Sequence, residues 1–124
     1  MNVLNTDKAP AAIGPYSQAI HTGNLVFVSG QLPINPATGQ FPEGDVKDQT
    51  RQSLENARAI LQSKGLDLNN VVKTTVLLAD IAYFGPMNEV YAEYFSAPYP
   101  ARSAFAVRDL PKGAMVEIEL IAEA

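Results

Sequence analysis

The stretch Val71-Val72-Lys73-Thr74-Thr75-Val76-Leu77-Leu78-Ala79 decides the fold. It is β-branched and mostly apolar, with no glycine or proline, and it predicts a central strand over 71–79. The segments on either side of it are helical. Upstream, a helix is expected to start near Asp45, whose carboxylate can cap free N–H groups, with Asp48 three residues later. Val46, Leu54, Ala57 and Leu61 recur at helical spacing, and Gly65 follows Lys64 as a C-terminal stop. Downstream, Asp80 and then Gly85-Pro86 open a second helix, with proline in its first turn. Phe84, Met87, Tyr91, Tyr94 and Phe95 form its apolar face, and Pro98 and Pro100 end it.

Further outward, residues 16–29 read as a hairpin around Gly23-Asn24. Pro33, Pro36, Gly39, Pro42 and Gly44 make 31–45 a loop, long enough for a binding or interface element. Strands are expected over 102–108 and 115–122, joined through Leu110-Pro111-Lys112-Gly113. The order ββ-α-β-α-ββ predicts an α+β fold: a mixed, mostly antiparallel sheet with two helices on one face.

The chain has 124 residues, enough for one domain over 1–124. Its 9 Lys and Arg against 13 Asp and Glu give a net charge of −4, which disfavours a broad nucleic-acid footprint and leaves only a small local basic patch open. With no cysteine, disulfides, thiolate catalysis and cysteine-ligated metals are ruled out. The N-terminus meets Asp7 and Lys8 before any apolar run, so no signal peptide is expected. Nor does any stretch reach the ~18 apolar residues of a membrane span. The expected setting is the cytoplasm.

Few residues offer chemistry. His21 is the only histidine, so no multi-histidine metal site can form, and on a hairpin it is expected to face solvent or a hydrogen-bond partner. Ser29-Gly30-Gln31 lacks a nucleophile-elbow pattern and reads first as a strand-end turn. In 115–122 the side chains alternate. Val116, Ile118, Leu120 and Ala122 belong to the core, while Met115, Glu117, Glu119 and Ile121 share the other face. That face is either solvated or holds a carboxylate in a partly dry site able to move protons. Arg102, after Pro98-Tyr99-Pro100-Ala101, is either a surface cation or a bidentate grip for a carboxylate. Arg108 lies six residues on, too far to share one small ligand with it. Residues 83–99 hold six of the ten aromatics but no Lys or Arg, so core or subunit-interface packing outweighs a stacking platform for single-stranded nucleic acid.

Several motifs in order resemble the RidA family (YjgF/UK114). They are Ala9-Pro10-Ala11-Ala12-Ile13-Gly14-Pro15-Tyr16-Ser17-Gln18-Ala19, Val28-Ser29-Gly30-Gln31, Val72-Lys73-Thr74-Thr75-Val76, Pro100-Ala101-Arg102-Ser103, Leu110-Pro111-Lys112 and Val116-Glu117-Ile118-Glu119. The match spans about residues 9–122. It implies a chorismate-mutase-like fold and a homotrimer with clefts between subunits. It also implies hydrolysis of 2-aminoacrylate/2-iminopropanoate and 2-iminobutanoate to 2-oxo acids and ammonia, with no cofactor or metal. By this resemblance Arg102 takes the position of the substrate-carboxylate arginine and Glu117 that of the glutamate orienting the water. Tyr16, Ser29, Gly30 and Asn88 fall on the other cleft-lining positions. Ala104 stands where many members carry cysteine, and Arg108-Asp109 departs from the common Ala-Arg. Other members are described as gene regulators, translation inhibitors or ribonucleases, so a non-catalytic ligand-sensing trimer is the alternative, with a ribonuclease behind it.

Overall fold

The computed structural model describes residues 1–124. Its six strands, β1 (Asn2–Leu4), β2 (Ala19–Thr22), β3 (Leu25–Gln31), β4 (Val71–Leu78), β5 (Ala101–Ala106) and β6 (Val116–Glu123), form one sheet in the order β1-β2-β3-β6-β4-β5. Only β4 and β5 run parallel, joined by the crossover that carries the second helix. The helices are α1 (Val46–Gln62) and α2 (Phe84–Tyr94). The mixed sheet with two helices is the α+β architecture expected of the sequence.

Asp45 accepts the Lys47 N–H at 2.9 Å while Asp48 accepts the Asp45 N–H at 3.1 Å, a reciprocal cap that starts α1. At the other end Gly65 takes a left-handed φ of +78°, and the Leu66 N–H reaches back to the Leu61 carbonyl. Val46, Leu54, Ala57, Ile60 and Leu61 bury one stripe of this helix against Val26, Val28, Val116, Ile118, Leu120 and Ala122. Completely buried side chains such as Leu54, Ile60 and Ile118 each contribute roughly 1.5–3 kcal/mol.

Four features depart from the sequence reading. The N-terminus adds β1 at the sheet edge, antiparallel to β2. The hairpin begins only at Ala19, because the chain before it is held by Gln18 rather than by a ladder. The Gln18 side chain accepts the Thr6 N–H at 2.8 Å and donates to the Pro10 carbonyl at 2.8 Å. Asp80 caps a short 3₁₀ turn over Ile81–Tyr83, and α2 starts after it. Finally β5 stops at Ala106, leaving Arg108 in solvent beside Asp109.

His21 also differs from expectation. It pairs with Asn2 on β1 and Val26 on β3, and both ring nitrogens are buried with no hydrogen-bond partner in the chain. The residue is half-buried, between the unanticipated edge strand and β3.

The two faces of the sheet are unequal. Thr74, Val76 and Leu78 of β4 point under the helices and are buried. The opposite face has no helix on it and leaves Phe27 and Phe105 exposed beside Leu77 and Ile121. No helix is long and apolar enough to cross a membrane.

Candidate functional site

Arg102 lies on β5 directly beside Thr74 of β4, and the alternation of side chains turns both toward α2. Phe84, Asn88 and Tyr91 of that helix, spaced i, i+4 and i+7, share one stripe and meet the guanidinium. Its Nη1 donates to Asn88 Oδ1 at 2.6 Å. Its central carbon lies 4.7 Å from the Tyr91 ring centre and 5.4 Å from that of Phe84. No carboxylate pairs with Arg102; the ion pairs of the chain lie elsewhere. This half-buried cation therefore rests on aromatic faces, which a weakly hydrated guanidinium tolerates, with most of its five N–H donors uncommitted. It opens on a cleft of about 450 Å³ bordered by Asn88, Tyr91, Ala92, Tyr99 and Pro100. That arrangement can hold an anion in bidentate fashion.

Glu117 belongs to a second place. On β6 it pairs with Leu77, facing away from the helices as its parity predicts. Burial pushes its carboxyl above the ordinary range, and the charge of Glu119 on the same face pushes it further. One side of the carboxylate is closed by Gly30. Between Val28 and Gln31 strand β3 has one residue more than its partner β6, a bulge that puts Ser29-Gly30 opposite this part of the strand. A Cβ at Gly30 would collide with the Glu117 carboxylate, so the close approach requires glycine. A partly desolvated carboxyl with raised proton affinity is suited to taking and returning a proton.

Ser29 and Tyr16 flank this second group. The Ser29 hydroxyl donates to the Ser17 carbonyl at 2.6 Å, its N–H donates to the Gln18 carbonyl at 3.0 Å and its carbonyl accepts from Gln31 Nε2 at 3.1 Å, so this residue is tied into the fold. Tyr16 is exposed and lines a cleft of about 350 Å³ with Gly30, Pro111 and Lys112. A larger hollow of about 540 Å³ runs over the open sheet face past Phe27, Lys73 and Glu119. It touches Ser29 but neither Arg102 nor Glu117, and its apolar, uncovered floor fits an interface better than a ligand site.

The six residues singled out from the sequence thus form two groups. Arg102 and Asn88 stand together on the helix side. Glu117, Gly30, Ser29 and Tyr16 lie along the open side or its edge. A single chain does not bring the arginine and the glutamate together. Sequence reasoning missed the aromatic seat of Arg102, having assigned Phe84 and Tyr91 to packing. The one signal available was a polar Thr74 at the same parity as the apolar Val76 and Leu78 of its strand. No group of three or more His, Asp or Glu stands close enough to hold a metal ion.

Comparison with known proteins adds to this geometry. The family model described as Endoribonuclease L-PSP matches residues 6–124. The chain is 57% identical to a RutC family protein of Pyrococcus horikoshii over 97% of its own length and 95% of that protein's. It is 52% identical to the 2-iminobutanoate/2-iminopropanoate deaminase of Mus musculus, over 97% and 89% of the two chains. Among solved structures, the crystal structure of E. coli TdcF with bound serine superposes with a TM-score of 0.95 at 45% identity, covering 100% of this chain and 99% of that one.

Proposed function

The chain belongs to the Endoribonuclease L-PSP family, that of the RidA deaminases, and on that premise we propose that it is an imine deaminase whose site is completed by a second copy of itself. The substrates would be 2-aminoacrylate with its tautomer 2-iminopropanoate, and 2-iminobutanoate; the products, 2-oxo acids and ammonia. In this reading residues 1–124 act as one domain, the assembly is a homotrimer with three clefts, and the setting is the cytoplasm.

One observation carries the proposal. Two groups of complementary chemistry, an unpaired cation and a carboxyl whose pKa burial raises, lie on opposite faces of one sheet, and the sheet face beside the carboxyl is uncovered, with Phe27 and Phe105 exposed. A neighbouring copy set against the open face would bring its Arg102 to this copy's Glu117. Closed assemblies of identical subunits place such pairs at every interface.

The chemistry follows from the residue types. Arg102 would bind the substrate carboxylate through charge-assisted hydrogen bonds worth about 1.5–3 kcal/mol. Glu117 would hold a water against the imine carbon. As the water oxygen bonds to that carbon, Glu117 takes a water proton and passes it to nitrogen. The carbinolamine then collapses: Glu117 takes the hydroxyl proton and delivers it to nitrogen as the C–N bond breaks, the C=O forms and ammonia leaves. Imines hydrolyse in water unaided, so positioning suffices and no strong nucleophile is needed. A nuclease mechanism finds less here, because both ring nitrogens of the lone histidine are shielded from solvent and the chain is acidic.

Mixing tests the shared site. Arg102→Ala and Glu117→Gln chains, each expected to be impaired alone, are unfolded, refolded together in equal amounts and assayed for pyruvate formation from freshly generated 2-aminoacrylate. Random assembly restores an intact cleft at about one interface in four, so activity should return to about a quarter of wild type. A mixture no better than the mean of its components would overturn the shared site.

A further inference from the structure

We infer that Tyr91 and Thr74 form a positioning pair that fixes the direction of the Arg102 guanidinium, and that they are not merely core. The inference rests on the reading of Arg102 as the carboxylate grip. Three observations converge on it. The two hydroxyls are 2.8 Å apart, with Thr74 fully buried and Tyr91 5% exposed. The Tyr91 ring is the nearer of the two aromatic faces under the cation, at 4.7 Å. The parallel register also sets Thr74 directly beside Arg102, so the residue that anchors the ring and the residue the ring supports are strand neighbours.

Packing beside the Phe95 ring, 4.5 Å away between centres, holds the Tyr91 ring in the core, and the Thr74 hydroxyl is its one hydrogen-bonded anchor. Only two side-chain hydrogen bonds join α2 to the sheet: Tyr91 with Thr74 and Asn88 with Arg102. The second restrains the guanidinium at one nitrogen and leaves it free to pivot. A flat surface of fixed tilt removes that freedom, because a planar cation lies parallel to the ring that carries it. The Thr74 hydroxyl fixes the tilt. A bidentate grip needs two of the four remaining N–H donors in one plane with the carboxylate, so an error in tilt costs binding even where the charge is unchanged.

Tyr91→Phe keeps the ring and removes its tether, and Thr74→Val removes the tether from the other side. Each is expected to raise the KM for the imine, and the Kd for 2-oxobutanoate measured by calorimetry, about three- to tenfold, with kcat within about twofold, since the grip acts alike on ground and transition states. The double variant separates position from stability. Removing both hydroxyls leaves no buried orphan, so melting temperature should recover toward wild type while KM and Kd stay raised. In an Arg102→Lys background, where a point charge has no plane to align, Tyr91→Phe should shift Kd less than twofold.

Single variants with lowered melting temperature but wild-type KM and Kd would overturn the inference, as would a double variant in which KM recovers together with stability. The hydrolase reading fails separately. A wild-type chain that binds 2-oxobutanoate through Arg102 without accelerating imine hydrolysis would remove the activity and, with Kd raised in the Tyr91 variant, leave the positioning pair supported. A chain whose Arg102 binds no 2-oxobutanoate would overturn both.

Discussion

The two faces of the sheet differ in how much of their chemistry one chain finishes. On the helix side, Arg102 has its two aromatic faces, its amide acceptor and its cleft from α2 and neighbouring strands. On the open side, Glu117 has one wall, Gly30, and beyond it an apolar surface with Phe27 and Phe105 uncovered. A cation can be seated inside one fold because aromatic rings and strand neighbours supply the seat locally. Under the proposed reading the carboxylate would face substrate across a second surface, which one chain does not supply. The difference teaches that, in the proposed reading, the finished half would set where substrate binds and the unfinished half would tie the reaction to assembly.

The sharpest way to break this contrast is Arg102→Ala. A fall of about a hundredfold in kcat/KM is expected, the size of a lost charge-assisted grip, with circular dichroism and assembly mass unchanged. Near-wild-type rates would place the binding charge elsewhere. Glu117→Gln should come next: kcat down by at least about a hundredfold while 2-oxobutanoate still binds, because the variant loses proton transfer and not the anion grip. Loss of binding as well would make the glutamate structural.

A milder perturbation sharpens the open half. Gly30→Ala puts a methyl where the Glu117 carboxylate lies, so kcat should drop about tenfold from displacement of that group alone. An unchanged rate would mean that the wall does not set the carboxylate's position. The smallest effect is on stability. The folded-state pKa of Glu117 lies above its unfolded value, so folding favours the protonated form. The associated stability is present below the unfolded pKa and is lost as pH rises through the folded one. Thermal melts should therefore show Glu117→Gln gaining on wild type as the pH rises above the ordinary carboxyl range, and a constant difference across that rise would mean that the carboxyl's burial carries no folding cost.

Parts of this were legible in the sequence because short-range physics writes them there. The alternation Val116, Ile118, Leu120, Ala122 gave the buried face of β6, and with it the face of Glu117. The carboxylates of Asp45 and Asp48 marked the start of α1, and Gly65 marked its stop. The bulge at Ser29-Gly30 was not legible. Ser-Gly at a strand end reads as a turn, and the extra residue exists only relative to the β6 partner. The seat under Arg102 was hidden for a similar reason. Tyr91 at helical spacing announces a buried ring but says nothing of what lies on its other face.

The sequence alone determined the element order, the inward faces and, through its motifs, the residues worth testing, because periodicity and capping depend on neighbours within a few positions. Only the tertiary structure decided that Arg102 and Glu117 stand on opposite sides of one sheet. That outcome depends on which strands pair, in which direction and register. Parallel pairing of β4 with β5 turns Arg102 under α2, whereas antiparallel pairing of β4 with β6 leaves Glu117 on the uncovered face.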